Sequence, residues 1–370
     1  MAIAIRAGFI LGLVLLIGSP AVAQEDQILP PFEEGNFTAL SFYAENDVLQ
    51  PPGRDEDRNY TGGFGFQFAG SFVPRAHLDA PLRGLDRLTR FESKHASSPR
   101  HYHALLVFGT AFTPDNQNTP VPIRDDRPYA SLIGVSVRRL TVDHEDSKDA
   151  WSSELAVGFL GLPVARNLQT WIHRRLRARS GKVVPYDPLG WHNQISDGGE
   201  PTALYRIGYE KSLIGESGPD VRKHFQVTGG FGGSAGYYTN ANLLANARLG
   251  WFTSEFWQFT PSAMNIGQQV AGAQPIPRWE LFAFASARPR LNLYNALLQG
   301  QFRDSVHTVD IKPATLEWDL GVSAYIPRWR FQLTWNALAG RTSEFEGGAP
   351  RTHTWGALIF TFSCPIPVEP

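Results

Sequence analysis

The segment Gly63-Phe64-Gly65-Phe66-Gln67-Phe68-Ala69 puts three phenylalanines on one side of an extended chain and only small or amide side chains on the other. Successive strand residues point to opposite faces, so this segment has one face suited to an apolar surround and one suited to a tightly filled interior. The same period of two recurs in 37–44, 62–72, 102–112, 131–142, 152–160, 204–211, 225–235, 245–257, 279–287, 315–326, 329–338 and 352–363. Many of these approach the roughly 9–11 residues that cross a bilayer at a tilt, and their number is even. The pattern predicts an all-β fold, a transmembrane antiparallel β-barrel of about 12 strands.

The start of the chain agrees with export. Arg6, the apolar run 7–17 and Ala21-Val22-Ala23 before Gln24 read as a signal peptide over residues 1–23. The apolar run is too short to span a bilayer as a helix, and no later stretch reaches 18 uninterrupted apolar residues. Residues 24–370 are then expected to form one barrel domain, integral to a bacterial outer membrane. Thirty-five glycines, 12% aromatics and a negative mean hydropathy suit strands that are apolar on one face only. A soluble periplasmic β-sandwich is the competing architecture at this level. A net charge of −1 gives no sign of a nucleic-acid partner, and the single Cys364 excludes an intramolecular disulfide. A monomer is expected.

Strand parity assigns sides. With a periplasmic N-terminus, the first strand ends outside at Asn46-Asp47, and the stretches 124–129 and 161–201 also lie outside. The polar turn 144–149 is periplasmic. Within 161–201 one short rim helix is expected. Pro163 suits its first turn, and Leu168, Trp171, Ile172 and Leu176 form an apolar stripe. Gln169 and His173 stand at i, i+4 on one face, followed by Arg174, Arg175, Arg177 and Arg179. Gly181 is the expected end of that helix.

Asn46, Asp47 and Thr61 would meet if the first two strands pair. Their amide, carboxylate and hydroxyl oxygens are the donors a hard cation such as Ca²⁺ requires. His173 is the candidate general base, because a neutral imidazole near pH 7 accepts a proton from water. Arg127, Arg174 and Arg175 are candidates for charge-assisted pairing with phosphate, with ordinary surface charge as the alternative. Three other patterns carry no chemistry. Gly232-Gly233-Ser234-Ala235-Gly236 fits G-x-S-x-G without a following helix. Asp55-x-Asp57-x-Asn59 begins like an EF-hand loop but has Tyr60 where glycine is needed. No H-E-x-x-H is present.

Several motifs in consistent order resemble the outer-membrane lipid A 3′-O-deacylase family. They are Ala44-Glu45-Asn46-Asp47, Asp57-Arg58-Asn59-Tyr60-Thr61-Gly62-Gly63, Asp126-Arg127-Pro128-Tyr129-Ala130 and Gly161-Leu162-Pro163 with Gln169-x-x-x-His173. Gly190-Trp191-x-x-Gln194, Leu297-Leu298-Gln299-Gly300 and Arg341-Thr342-Ser343-Glu344-Phe345 follow. The resemblance implies a twelve-stranded barrel that hydrolyses the 3′-linked acyloxyacyl chain of lipid A, in the lipopolysaccharide of the outer leaflet, with Ca²⁺. By position it implies a metal and active-site region at Asn46, Asp47 and Thr61, His173 as general base, and Gln169 beside it. Two departures stand out. Arg179 occupies a position where some members carry Glu, with Glu200 and Asp197 as the acidic residues available to replace it. The stretch 114–120 lacks the basic residue some members place there, and Arg124 is the substitute at hand. Two other functions compete with this one: a non-catalytic pore or adhesin of the same shape, and a different lipid hydrolase such as a phospholipase.

Overall fold

The computed structural model describes residues 34–51, 59–91, 99–143, 148–180, 187–215, 221–259, 261, 276, 278–347 and 352–364. Among them are twelve strands: β1 Ala39–Asn46, β2 Asn59–Ala69, β3 Pro99–Thr113, β4 Ala130–Asp143, β5 Asp149–Leu160, β6 Glu200–Ile214, β7 Lys223–Gly236, β8 Tyr238–Phe252, β9 Glu280–Asn295, β10 Ala314–Ile326, β11 Phe331–Arg341 and β12 His353–Ser363. Each pairs antiparallel with its sequence neighbours, and β1 pairs with β12 from Ala39↔Ser363 to Asn46↔Gly356. That pairing closes the sheet, so no strand edge is left to face lipid.

The expected alternation is realised. Phe64, Phe66 and Phe68 point out from β2, whereas Gly65, Gln67 and Ala69 are buried inside or nearly so. At the seam Phe42 contacts Phe66 and Phe360 on the outer face, with ring centroids 5.0 and 6.2 Å away. On the lumen side of the same seam, the Ser41 and Thr361 hydroxyls lie 2.9 Å apart.

The lumen is filled by paired charges. Arg138, Glu154 and Arg206 stand in register across β4, β5 and β6. Arg138 Nε donates to Glu154 at 3.0 Å and Arg206 Nη1 at 2.8 Å, while Arg138 Nη1 reaches Gln67 at 3.1 Å. On the opposite wall Glu317 is fully buried and accepts from Arg288 (2.6 Å), Arg290 (3.0 Å) and Arg341 (2.8 Å). Charges removed from water require such pairing, because a lone one would cost several kcal/mol.

The structure departs from the sequence reading in two regions. β8 runs Tyr238–Phe252 instead of 245–257, and Phe256–Gln258 is a 3-10 turn whose Trp257 stacks on Tyr102 at 5.3 Å. Two helices also appear between β2 and β3: α1, Phe72–Arg75, and α2, Ala80–Leu88. Helix α2 packs on the outer wall, because Asp86 meets Arg139, Ser153 and Tyr205. Those three residues point away from the lumen, on the face opposite to Arg138, Glu154 and Arg206.

Replacing Glu317 by Gln should leave three buried guanidinium groups without their shared counter-charge. We expect a destabilisation of about 3–5 kcal/mol, read as an earlier heat-modifiability transition in gel electrophoresis. An unchanged transition would mean that the arginines re-pair without Glu317.

Candidate active site at the extracellular rim

Asn46 closes β1 and caps the 3-10 turn Asp47–Leu49. Its Oδ1 accepts from Val48 N at 2.9 Å and its Nδ2 donates to the Thr61 carbonyl at 2.5 Å. Asp47 is buried, and its Oδ1 accepts from Val48 N at 2.8 Å. The Thr61 and Thr113 hydroxyls are 2.7 Å apart, which links the cluster to the outer end of β3. The hairpin therefore brings Asn46 and Thr61 together, with Asp47 beside Asn46. Asp57 and Arg58 lie outside the described residues. The donor set consists of oxygens with one carboxylate, and among the described residues no three His, Cys, Asp or Glu groups gather in a way that could hold a metal. Oxygen donors with one carboxylate have the chemistry a hard cation such as Ca²⁺ takes and a thiophilic metal does not, and here the Asn46 amide and the Thr61 hydroxyl are engaged with Val48, Thr61 and Thr113.

The rim helix, α3, spans Val164–Ser180 directly after Pro163. Both ends of its loop are fastened together. Gly161 has φ +71°, and a Cβ there would lie 2.1 Å from the Ser196 carbonyl, so only glycine fits. Gln194 donates to the Gly161 carbonyl at 3.0 Å and to Asp197 at 2.8 Å, and accepts from the Ser131 hydroxyl at 3.1 Å. Gln169 is buried within the same assembly. It donates to Gln117 Oε1 at 2.9 Å and accepts from the Trp191 indole at 2.8 Å. Trp191 packs on Tyr129 with centroids 4.8 Å apart, and a Cβ on Gly190 would come within 2.4 Å of that ring. His173 follows Gln169 by one helical turn; its side chain and that of Arg179 lie outside the described residues, as does Gly181 altogether. Gln117 comes four residues after Thr113, so the end of β3 and the loop it enters join the oxygen cluster to α3. Nothing local in the sequence singles out Gln117, which sits in a polar stretch with no pattern of its own.

The three arginines occupy unlike places. Arg174 is exposed and bonds Asp187 at 3.0 and 3.2 Å. Arg175 is exposed with its guanidinium carbon 5.3 Å from the Trp171 ring centroid. Arg127 instead turns inward and is 1% exposed, 4.1 Å above Phe112 and 3.8 Å from Glu344. Burial lowers its pKa to about 10, with Glu344 acting in the opposite direction, so it stays charged at neutral pH. Its inward position distinguishes it from the rim phosphate contact expected of it. Arg341 also bonds Glu344 at 2.5 Å. Asp197 and Glu200, the acidic substitutes considered for Arg179, are already engaged. Glu200 accepts from Ser196 at 2.5 Å and from the backbone of Phe302 at 2.8 Å. Ser234 is a strand serine that donates to the Tyr238 carbonyl at 2.6 Å, as the absence of a nucleophile elbow requires.

A groove of about 1050 Å³ runs along the outer wall below this loop, lined by Val135, Val157, Phe159, Tyr237 and Phe302 among others. It is far larger than the lumen cavity of about 80 Å³ lined by Arg138, Glu154 and Arg206.

A closed antiparallel barrel with an apolar exterior and a charged, paired interior is an integral outer-membrane protein. Residues 9–364 match the family profile described as outer membrane protein LpxR, and the chain belongs to that family, the one its motifs resemble. Among solved structures it is similar to LpxR from Salmonella typhimurium, at 14% identity and a TM-score of 0.65, covering 88% of this chain and 99% of that one. Weaker similarities include the translocator domain of the autotransporter NalP from Neisseria meningitidis, at 9% identity, TM-score 0.38, and 98% and 96% coverage. The β domain of the Bordetella autotransporter BrkA matches at 11%, 0.37, and 89% and 99%. No curated protein matches the sequence.

Two measurements test the rim. Gln169→Leu should remove the bonds to Gln117 Oε1 and to the Trp191 indole, costing about 1–3 kcal/mol locally. Limited proteolysis should then cut the loop 161–199 faster while the heat-modifiability transition of the barrel stays put. For Glu344, burial pushes the carboxyl up, but Arg341 and Arg127 outweigh it and hold the pKa below the usual value. A folded pKa below the unfolded one makes its contribution complete above the ordinary carboxylate range of about 4 and lost as pH falls through the folded value. Loop protection should therefore be flat from neutral pH to about 5 and decline only in stronger acid. Loss of protection already near neutral pH would contradict this pairing.

Proposed function

We propose that the protein is an outer-membrane esterase that removes the 3′-linked acyloxyacyl chain of lipid A. The observation that carries the reading is the junction at the outer rim, where Thr113 and Gln117 tie the Asn46, Asp47 and Thr61 cluster to the helix bearing Gln169 and His173. Membership of the LpxR family, together with the motifs that resemble the lipid A 3′-O-deacylases, supports this choice of substrate. In the proposed reaction the His173 imidazole takes a proton from water, and the water oxygen attacks the ester carbonyl. The carbonyl then re-forms as the sugar oxygen leaves, and the imidazolium returns its proton to that oxygen. The products are the free acyloxyacyl acid and a 3′-hydroxyl. Ca²⁺, when held by Asp47 with Asn46 and Thr61, supplies the positive charge that stabilises a developing oxyanion. Gln169 is a positioning residue in this scheme, since both ends of its amide are engaged with Gln117 and Trp191. The outer groove suits an acyl chain by its apolar lining, and exposed Arg174 and Arg175 are suited to lipid phosphates. A pore is less well supported, because the lumen charges satisfy one another.

His173→Ala should preserve a heat-modifiable barrel and lower turnover by about 10²–10⁴-fold. Mass spectrometry of lipid A from cells carrying the wild type or this variant is the measurement. Retention of wild-type deacylation would remove His173 from the role of base. Asp47→Ala and excess chelator should each suppress activity, with Ca²⁺ restoring only the chelated wild type; full activity in chelator would exclude the metal. Arg174→Ala combined with Arg175→Ala should raise KM for bis-phosphorylated lipid A far more than for a dephosphorylated substrate, since only ground-state binding is lost. Equal effects on both substrates would show that these arginines do not contact the phosphates.

A further inference from the structure

The helices α1 and α2 lie at the end of the barrel opposite to α3, by strand parity, and on the outside of the wall. Their charges are sorted. The two carboxylates face the barrel: Asp79 is 1% exposed and bonds Arg83 at 3.0 Å, with His103 3.9 Å away. Asp86 is 2% exposed and accepts from Ser153 (2.8 Å), Tyr205 (2.9 Å) and Arg139 (3.4 Å). The exposed side chains include Arg75, His77, Arg87 and Arg90, interspersed with Leu78 at 42% and Leu88 at 80% exposure. Arg75 has a long contact of 3.4 Å with Asn36. A wall that faces lipid has thus gained a short helical segment that exposes leucine and arginine side chains among small ones.

An aromatic band places this surface at membrane-interface depth. Trp151, Tyr209 and Phe231 stand in register across β5, β6 and β7 on the outer wall, with centroids 4.4 and 5.3 Å apart. Phe91, just past α2, meets Trp151 edge-on at 5.6 Å. Aromatic girdles mark the bilayer boundary in such barrels. Leucines beside arginines at that depth suit acyl chains capped by anionic headgroups.

We infer that α1–α2 is a docking site for anionic phospholipid of the periplasmic leaflet, with Arg75, Arg87 and Arg90 contacting the headgroup phosphate and Leu78 and Leu88 the acyl chains. This site is separate from the extracellular rim and stands whether or not the barrel is an esterase. The test is native mass spectrometry of the purified full-length barrel in neutral detergent, with equal amounts of phosphatidylglycerol and phosphatidylcholine. Wild type should retain phosphatidylglycerol by about tenfold over phosphatidylcholine, a modest share of what three interfacial arginines can supply. Arg75→Gln, Arg87→Gln and Arg90→Gln together should bring the two lipids level, and the matching triple lysine variant should keep the preference. Arg328→Gln, an exposed arginine in the turn between β10 and β11 at the same end of the barrel, should change nothing. Equal retention of both lipids by wild type overturns the proposal, as does a preference that survives the triple Gln change. Loss of the preference in the Arg328 variant would assign the lipid to positive charge at that end in general and equally refute it.

Discussion

A backbone immersed in lipid has no water to hydrogen-bond, so every strand N–H and C=O must find its partner within the protein. Pairing of β1 with β12 meets that condition here, and much else follows from it. Closure fixes which face of each strand is outside, and a one-residue slip would send Phe64, Phe66 and Phe68 into the lumen. It also fixes the level at which each strand ends, and so which loops meet at the rim. Asn46 and Thr61 approach because β1 and β2 pair in one register, from Ala39↔Ala69 to Glu45↔Gly63.

The same closure encloses an interior too narrow to be left empty and too polar to be oily. Ion pairs such as Glu317 with its three arginines fill most of it, leaving a small cavity beside Arg138, Glu154 and Arg206. Pairing of this kind adds little net stability over an apolar core, but it makes alternative registers expensive, since a shifted strand would separate charges buried together. The outer groove, by contrast, is apolar and open to the surround. The polar and apolar faces of the wall therefore assign distinct roles to its two sides, with packing inside and contact with lipid outside.

How much of this was legible in the sequence differs by element. Strands with aromatic outer faces, such as Gly63 to Ala69, declare their period plainly, and the strand number and the rim helix follow from them. The start of β8 lies earlier than expected because Ala241, Ala245 and Ala247 on its outer face barely differ from the asparagines facing inward, and Leu243 between them does not by itself declare a period. The apolar Phe256 and Trp257 looked like its continuation, although they fold into a turn. Helix α2 escaped notice because Pro81 and Gly84 weaken its helical signal and its stripe is short. Asn46, Asp47, Thr61 and Gln169 could be grouped through strand parity and helical spacing. Gln117 and Thr113 could not, since their roles come from contacts between loops distant in sequence. The inward turn of Arg127 is of the same kind, decided by Phe112 and Glu344 and not by its neighbours in the chain.

The extracellular loops are bonded to one another as well as to the strands from which they rise. His307 contacts the Asp126 carbonyl at 2.8 Å, Arg127 faces Glu344, and Glu200 holds the backbone at Phe302 and Arg303. Connections of this sort make the cap a single cooperative unit, a foldon seated on a more stable barrel. Hydrogen exchange in these loops would accordingly be synchronous, with amides near 126, 200, 303 and 344 opening in one event. Any entry of a large amphiphile beneath α3 then requires either a cap already shaped for it or the lifting of the whole assembly at once.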